Sequence, residues 1–198
     1  MRSVLHVGCG SATIAKMPAG FQHGWRELRF DIDPAYAVDF VGTMLDMSAV
    51  ADDSVDALYS SHNIEHVDAH DVNVVLREFR RVIKPDGFAV ITCPDLEAVA
   101  KHVAEGRLED PLYVSPTGPI SALDILYGHG AAIARGEVYM AHRTGFTAKT
   151  LAAHTQAAGF ATLGVRRRPK YFDLWMICTK QPASAERISE LIASYARA

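Results

Sequence analysis

The sequence predicts an α/β fold, a mostly parallel sheet with helices on both faces and an antiparallel hairpin strand near the C-terminus. Three observations carry this. Strand-like and helix-like runs alternate along the chain, the first strand breaks at once into a tight Gly8-Cys9-Gly10 turn, and a second strand-like run closes on Asp31. Gly8 and Gly10 let the backbone turn sharply and leave room for a ligand beside the main chain. A carboxylate 21 positions beyond Gly10 can accept hydrogen bonds from two ribose hydroxyls, so the pair reads as a nucleoside cofactor site.

The strands are expected at Val4 to Val7, Glu27 to Ile32, a short Asp39 to Val41, Val55 to Ser60 and Phe88 to Cys93. A late pair, Ala161 to Arg167 and Phe172 to Thr179, reads as a hairpin turning at Arg168-Pro169-Lys170. Val72, Val75, Leu76, Phe79 and Val82 recur at three- and four-residue steps, which predicts a helix over His70 to Ile83, ended by Lys84-Pro85-Asp86-Gly87. Asp95 is placed to cap a helix that Gly106 stops, and Thr147 one that Gly159 stops. From Ser184 onward Ile188, Leu191, Ile192 and Tyr195 share a face, so a last amphipathic helix should dock on the domain or on a second subunit. Between Gly106 and Phe146 the periodicity loosens. This stretch is read as an irregular insert, about 106–146, that covers or shapes a pocket within a single domain of 198 residues.

Bulk properties narrow the function. A chain that is 49% hydrophobic and 22% charged is an ordinary globular one, and a net charge of −3 argues against generic binding to nucleic acid or to an anionic membrane. The partner is expected to be a small molecule, with a homodimer as a further expectation. Cys9, Cys93 and Cys178 are odd in number and widely spaced, which fits neither a disulfide framework nor a thiolate zinc site and suits a reducing cytoplasm. There is no signal peptide pattern and no apolar run near the ~20 residues that span a bilayer. Arg166-Arg167-Arg168 reads as a solvated hairpin face.

The glycine turn departs from a dinucleotide fingerprint, because Thr13 stands where the third glycine would be and Pro18 interrupts the following helix. A pyrophosphate is poorly served there. A nucleoside without phosphates fits better, and S-adenosylmethionine is the common cofactor of that kind. His62-Asn63-Ile64-Glu65-His66 also matches the H-x-x-E-H pattern of inverted zinc proteases. That chemistry needs both histidines on one helix, whereas Val55 to Tyr59 reads as a buried strand, so no metal is expected.

Five segments in order resemble the class I S-adenosylmethionine-dependent methyltransferases, in particular the type 11 group. They are Val4-Leu5-His6-Val7-Gly8-Cys9-Gly10, Phe30-Asp31-Ile32-Asp33-Pro34, Leu45-Asp46-Met47, the run from Ser54 to Val67, and Leu76 to Gly87. The resemblance implies a Rossmann-like fold and in-line methyl transfer, with Asp31 on the ribose, Asp46 on the adenine amino group and Met47 against its ring. It further implies that Gly8, Cys9, Gly10, Ile32 and Ser61 line the cofactor and that His62 lies beside its methionine end. His6 stands where the group usually carries an acidic residue, at the cofactor's methionine end, and a non-catalytic cofactor-binding or scaffold protein is the alternative it leaves open. A nicotinamide-dependent oxidoreductase is the remaining one. A second cluster, His142-Arg143 before Phe146-Thr147, is similar to one in type 11 relatives. His142 could take a proton from an acceptor hydroxyl and Arg143 could hold an acidic group, with Tyr127, His129 and Tyr139 in the same pocket. The insert resembles those of small-molecule or sugar-modifying members.

Overall fold

A computed structural model describes residues 1–196 of the chain. Nine strands and six α-helices are present among them: β1 (Arg2–Val7), β2 (Trp25–Asp31), β3 (Phe40–Val41), β4 (Val55–Ser61), α1 (Val72–Val82), β5 (Ile83–Pro94), α2 (Leu96–Ala104), β6 (Pro111–Ser115), β7 (Gly118–Ser121), α3 (Ala122–Tyr127), α4 (Gly130–Ala134), α5 (Ala148–Ala157), β8 (Thr162–Arg168), β9 (Asp173–Thr179) and α6 (Ala185–Tyr195). Seven strands form one sheet in the order β3-β2-β1-β4-β5-β9-β8, and β6 and β7 make a separate hairpin. The first five run parallel, and β9 enters antiparallel to both β5 and β8. Strand order reverses at β1, whose neighbours are β2 and β4, so the crevice above their carboxyl ends is where this architecture receives ligands.

Alternation along β1 sends Leu5 and Val7 to one core and Val4 to another. The first core packs the predicted stripe of α1, with Val75, Leu76, Phe79 and Val82 fully buried, together with Leu151 of α5. The second is closed by aromatic rings. Tyr195 of α6 lies 4.6 Å from Phe21 and 4.7 Å from Phe88, and Trp25 meets Phe21 edge-on at 5.2 Å. The expected break after the glycine turn is real: two 3-10 turns, Ile14–Lys16 and Ala19–Phe21, replace a long crossover helix. α6 covers that sheet face instead, docking on its own chain.

The caps read from the sequence form. Asp95 accepts from the backbone N–H of Glu97 and Ala98, Thr147 and Thr150 make a reciprocal capping box, and Ser184 accepts from Arg187 N–H. Two expectations need correction. β5 begins at Ile83 rather than Phe88, because Ile83 pairs with Val55 and a bulge carries the chain through Lys84-Pro85-Asp86-Gly87. The insert is not irregular. It folds as the β6–β7 hairpin, α3, α4 and a 3-10 turn, Val138–Met140, and packs Ile120, Ala122 and Ile125 against Val99 of α2.

Candidate active site

Two neighbouring sites lie over the carboxyl edge of the sheet. The first is built mainly from backbone. Gly8 and Gly10 have φ of +63° and +50°, and Gly8 N–H donates to Phe30 O at 2.9 Å, which joins the turn to β2. A Cβ at Gly8 would stand 2.1 Å from Oδ1 of Asn63, whose amide donates to Val7 O at 2.9 Å. Only glycine fits there. A Cβ at Gly10 meets nothing nearer than the Tyr36 ring at 4.0 Å, which leaves open space beside the backbone.

Asp31 is 7% exposed, and its carboxylate accepts from Gly10 N–H at 2.7 Å and Asp33 N–H at 3.0 Å. Each carboxylate oxygen keeps further lone pairs for a ribose hydroxyl. Ile32, Tyr36 and Leu45 are exposed apolar side chains at the ends of β2 and β3 and provide the apolar surface that an adenine ring requires. Asp46 is exposed, and its Oδ1 accepts from Ser48 N–H at 3.0 Å. Met47 is different. It is fully buried in the main core, so the face expected against the adenine ring is turned inward, and Leu45 stands exposed in that segment.

His6 is also turned away from a ligand. It is 4% exposed, its Nδ1 lies 2.7 Å from Glu27 Oε1, and its ring packs on Tyr59 at 5.4 Å. Glu27 Oε2 in turn accepts from Ile14 N–H at 2.8 Å, so His6 holds the loop after the glycine turn. Burial holds its pKa below 6.5, against the opposing pull of Glu27. Cys9 contributes backbone only, since its side chain is 3% exposed and burial raises its thiol. Arg29, which sequence reading passed over, donates to Gly10 O at 2.6 Å and Ala12 O at 3.2 Å. Glu27, Arg29 and Asp31 fall on one face of β2 by alternation, a signal that was present in the sequence.

The second site is a pocket of about 140 Å³ over the ends of β4 and β5, lined by residues that include His62, Glu65, His66, Tyr113, Asp124 and His142. His62 follows β4 with φ +54°, and a 3-10 turn, Ile64–His66, comes next. The backbone N–H groups of Arg143 and Thr144 donate to Glu65 O at 2.8 and 3.1 Å, and His142 N–H donates to Tyr127 O at 3.1 Å. These bonds bring His142 to within 4.9 Å of His66, ring to ring. The approach depends on Gly128, where φ is +96° and a Cβ would lie 2.0 Å from Met140 O.

Electrostatics here centre on Glu65, which is 0% exposed. Burial pushes its carboxyl up, but the neighbouring histidines outweigh that and hold it below the usual range. His62 Nδ1 lies 3.3 Å from Glu65 Oε1, and Asp173 lies on its other side at 3.9 Å. Desolvation lowers the His62 pKa, yet the two carboxylates raise it overall to about 9. Burial holds His142 below 6.5, and its Nδ1 lies 2.8 Å from Ile125 O. Ser61 Oγ sits 2.9 Å from Thr92 Oγ1 at the end of β4.

Of the remaining expected residues, His129 lines the pocket, whereas Tyr127 is 66% exposed and Arg143 pairs at 3.6 Å with Asp68, both outside the lining. Tyr139 is likewise exposed. Two arginines of the Arg166-Arg167-Arg168 run are paired. Arg167 bridges Asp95 at 2.7 Å and Glu97 at 3.2 Å, and Arg168 pairs with Asp173 and stacks on Tyr171 and Trp175.

The strand order, the glycine turn and the buried ribose-type carboxylate together define the class I S-adenosylmethionine-dependent methyltransferases, and S-adenosylmethionine is the cofactor that Asp31, Gly8, Gly10, Ile32, Tyr36 and Leu45 fit. The sequence profile of the methyltransferase domain matches residues 5–91. Among solved structures it is similar to a methyltransferase from Archaeoglobus fulgidus (13% identity, TM-score 0.57, 90% of this chain and 86% of that one). It is also similar to the 1,6-didemethyltoxoflavin-N1-methyltransferase of Burkholderia thailandensis, solved with 1,6-didemethyltoxoflavin and S-adenosylhomocysteine (18%, TM-score 0.55, 91% and 71%). A third is the CMeT domain of the citrinin polyketide synthase (12%, TM-score 0.59), where the chain matches over 92% of its own length but spans 47% of that chain. No curated protein matches it by sequence.

Proposed function

We propose that this protein transfers the methyl group of S-adenosylmethionine to a hydroxylated small molecule, of the size and polarity of a sugar derivative, held in the pocket between the β4 and β5 ends and the insert. The observation that carries this is the pocket itself. Asn63, the residue after His62 of its lining, donates to Val7 O at the glycine turn, and the pocket walls mix aromatic groups with hydrogen-bonding ones, Tyr113, Asp124, His129 and His142. About 140 Å³ suits a small acceptor group better than a polymer.

Bound S-adenosylmethionine supplies an electrophilic methyl on a sulfonium, and transfer to an acceptor hydroxyl releases S-adenosylhomocysteine and a proton. The residues then have separate tasks. Asp31 and the glycine turn fix the nucleoside, and the insert positions the acceptor, which is where most of the rate enhancement of such a displacement arises. His142, kept neutral by burial, is the group placed to handle the acceptor's proton. His62, charged between Glu65 and Asp173, orients acceptor oxygens from the pocket floor. The three free cysteines are buried and suit a reducing cytoplasm.

Calorimetric titration with S-adenosylhomocysteine, followed by methyl-transfer assays on a panel of sugars and hydroxylated small molecules, tests this. Binding with turnover of a hydroxylated acceptor is expected. Absence of S-adenosylhomocysteine binding overturns the cofactor site, and binding with transfer only to macromolecules overturns the acceptor class.

A further inference from the structure

The acceptor pocket holds an unbalanced group. Glu65 is buried at the centre of a polar cluster, and among the described residues neither of its carboxylate oxygens has a hydrogen-bond partner. A buried carboxylate without hydrogen bonds calls for a counter-charge or an ion. His62 provides part of that charge from 3.3 Å at Oε1, but 46% of its side chain is exposed, so its charge is partly screened by solvent.

Two further side chains converge on the same carboxylate. One ligating atom each from Glu65, His66 and His142 lie within 4.8 Å of one another, and all three residues line the pocket. His142 Nδ1 faces the Ile125 carbonyl at 2.8 Å, so donation from that nitrogen leaves Nε2 with a free lone pair. His66 has carbonyls at both ring nitrogens, Ala141 O at 3.1 Å and His62 O at 3.2 Å. A neutral imidazole has one N–H for the two, so one of its nitrogens is left without a donor role. His142 is thus fixed from behind by a backbone carbonyl, the Glu65 carboxylate is free of hydrogen bonds, and His66 can turn its acceptor nitrogen to an ion by giving up one carbonyl contact.

We propose that Glu65, His66 and His142 bind a divalent transition-metal cation, whose remaining coordination positions face the pocket and take oxygens of the acceptor. Two nitrogens and one carboxylate oxygen suit zinc, manganese, iron or cobalt rather than calcium or magnesium. Ligands sharing an ion at ~2.1 Å stand about 3.0–3.5 Å apart, so the three atoms close in from their present separation of at most 4.8 Å as His66 gives up one carbonyl contact. The zinc-protease objection drawn from the sequence concerned His62 and His66 on one helix. This set instead joins adjacent residues of a 3-10 turn to a histidine from the far end of the insert, a combination that no local motif displays. Metal binding itself does not require the proposed methyl transfer; with an ion on His142 Nε2 the ion, rather than the imidazole, makes the acceptor's proton labile, and the acceptor's place on the ion rests on that reading.

The test uses tag-free protein dialysed against a chelator and titrated with Co²⁺ alone, followed by visible absorption and calorimetry. One ion per chain is expected, with visible bands of a nitrogen- and oxygen-ligated site, and with binding weakened at least tenfold in Glu65→Gln and in His142→Ala. His70→Ala, in the separate Asp68-His70-Asp71 cluster, should leave it unchanged. Each variant is also titrated with S-adenosylhomocysteine, which reports an intact cofactor half. His142→Ala decides the question if Glu65→Gln does not fold. Absence of stoichiometric Co²⁺ binding, equal binding in a folded His142→Ala protein, or loss through His70→Ala overturns the site. Co²⁺ binding without S-adenosylhomocysteine binding would overturn the methyltransferase reading and leave the metal site standing.

Discussion

The two halves of the active-site crevice are made in opposite ways. The cofactor half uses residues close in sequence, with main-chain turns after β1 and β2 and one buried carboxylate, and Arg29 straps the carbonyls of Gly10 and Ala12 from the neighbouring strand. The acceptor half uses side chains from four separate parts of the chain, held by hydrogen bonds between them, such as Arg143 N–H of the insert to Glu65 O of the 3-10 turn at 2.8 Å. A cofactor common to a whole class can be held by geometry that strand ends provide anyway. An individual acceptor requires side chains that vary, and these sit on connecting segments.

Substitutions should separate the halves. The largest effect is expected from Gly128→Val, because the positive φ and the 2.0 Å approach to Met140 O both forbid a branched side chain. Methyl-transfer kcat/KM should fall at least a hundredfold with S-adenosylhomocysteine affinity nearly unchanged; an equal loss of both would show that the halves are not independent. Gly8→Ala should instead damage the joint between them. Displacing Asn63 and straining the turn should cost about 2–4 kcal/mol of stability, measured by denaturant unfolding, and should weaken cofactor binding as well. Asp31→Ala is confined to the cofactor half, with a loss of about 1–3 kcal/mol in S-adenosylhomocysteine binding by calorimetry and no change in Co²⁺ affinity.

The smallest effect concerns His6, which faces Glu27, Arg29 and Asp31 from β2 and Tyr59 from β4. Its folded-state pKa lies below the unfolded value of 6.5, so the unfolded chain takes up the proton first. The His6 contribution to stability is therefore complete above pH 6.5 and declines as pH drops below it. Titration of the ring by NMR checks the sign, and a midpoint above 6.5 would reverse it.

The same contrast explains what could be read in advance. Periodicity exposed α1 because Val72, Val75, Leu76, Phe79 and Val82 all face the core, and a short apolar run exposed β4 as a buried strand. The glycine turn was legible because Gly8 and Gly10 take a positive φ that few other residues can adopt. Met47 was misjudged, since position in a motif does not say which way a side chain points, and the turn bridged by Thr43 and Asp46 rotates it into the core. The β6–β7 hairpin escaped because its strands are short and carry prolines at 111 and 119, although Ser115-Pro116-Thr117-Gly118 is a legible turn. Glu65 could not be recognised as unsatisfied from sequence. Its surroundings are set by His142, brought in by a backbone path through Gly128.

The aromatic closure by α6 has a consequence for synthesis. Phe21, Trp25 and Phe88 leave the ribosome long before Tyr195, the ring that packs among them. Until residues 185–195 emerge, one side of the nascent sheet stays greasy and uncovered, a contact of nearly the greatest sequence separation this chain allows. Such a protein has to hold its first strands in waiting, with an apolar face exposed until α6 arrives.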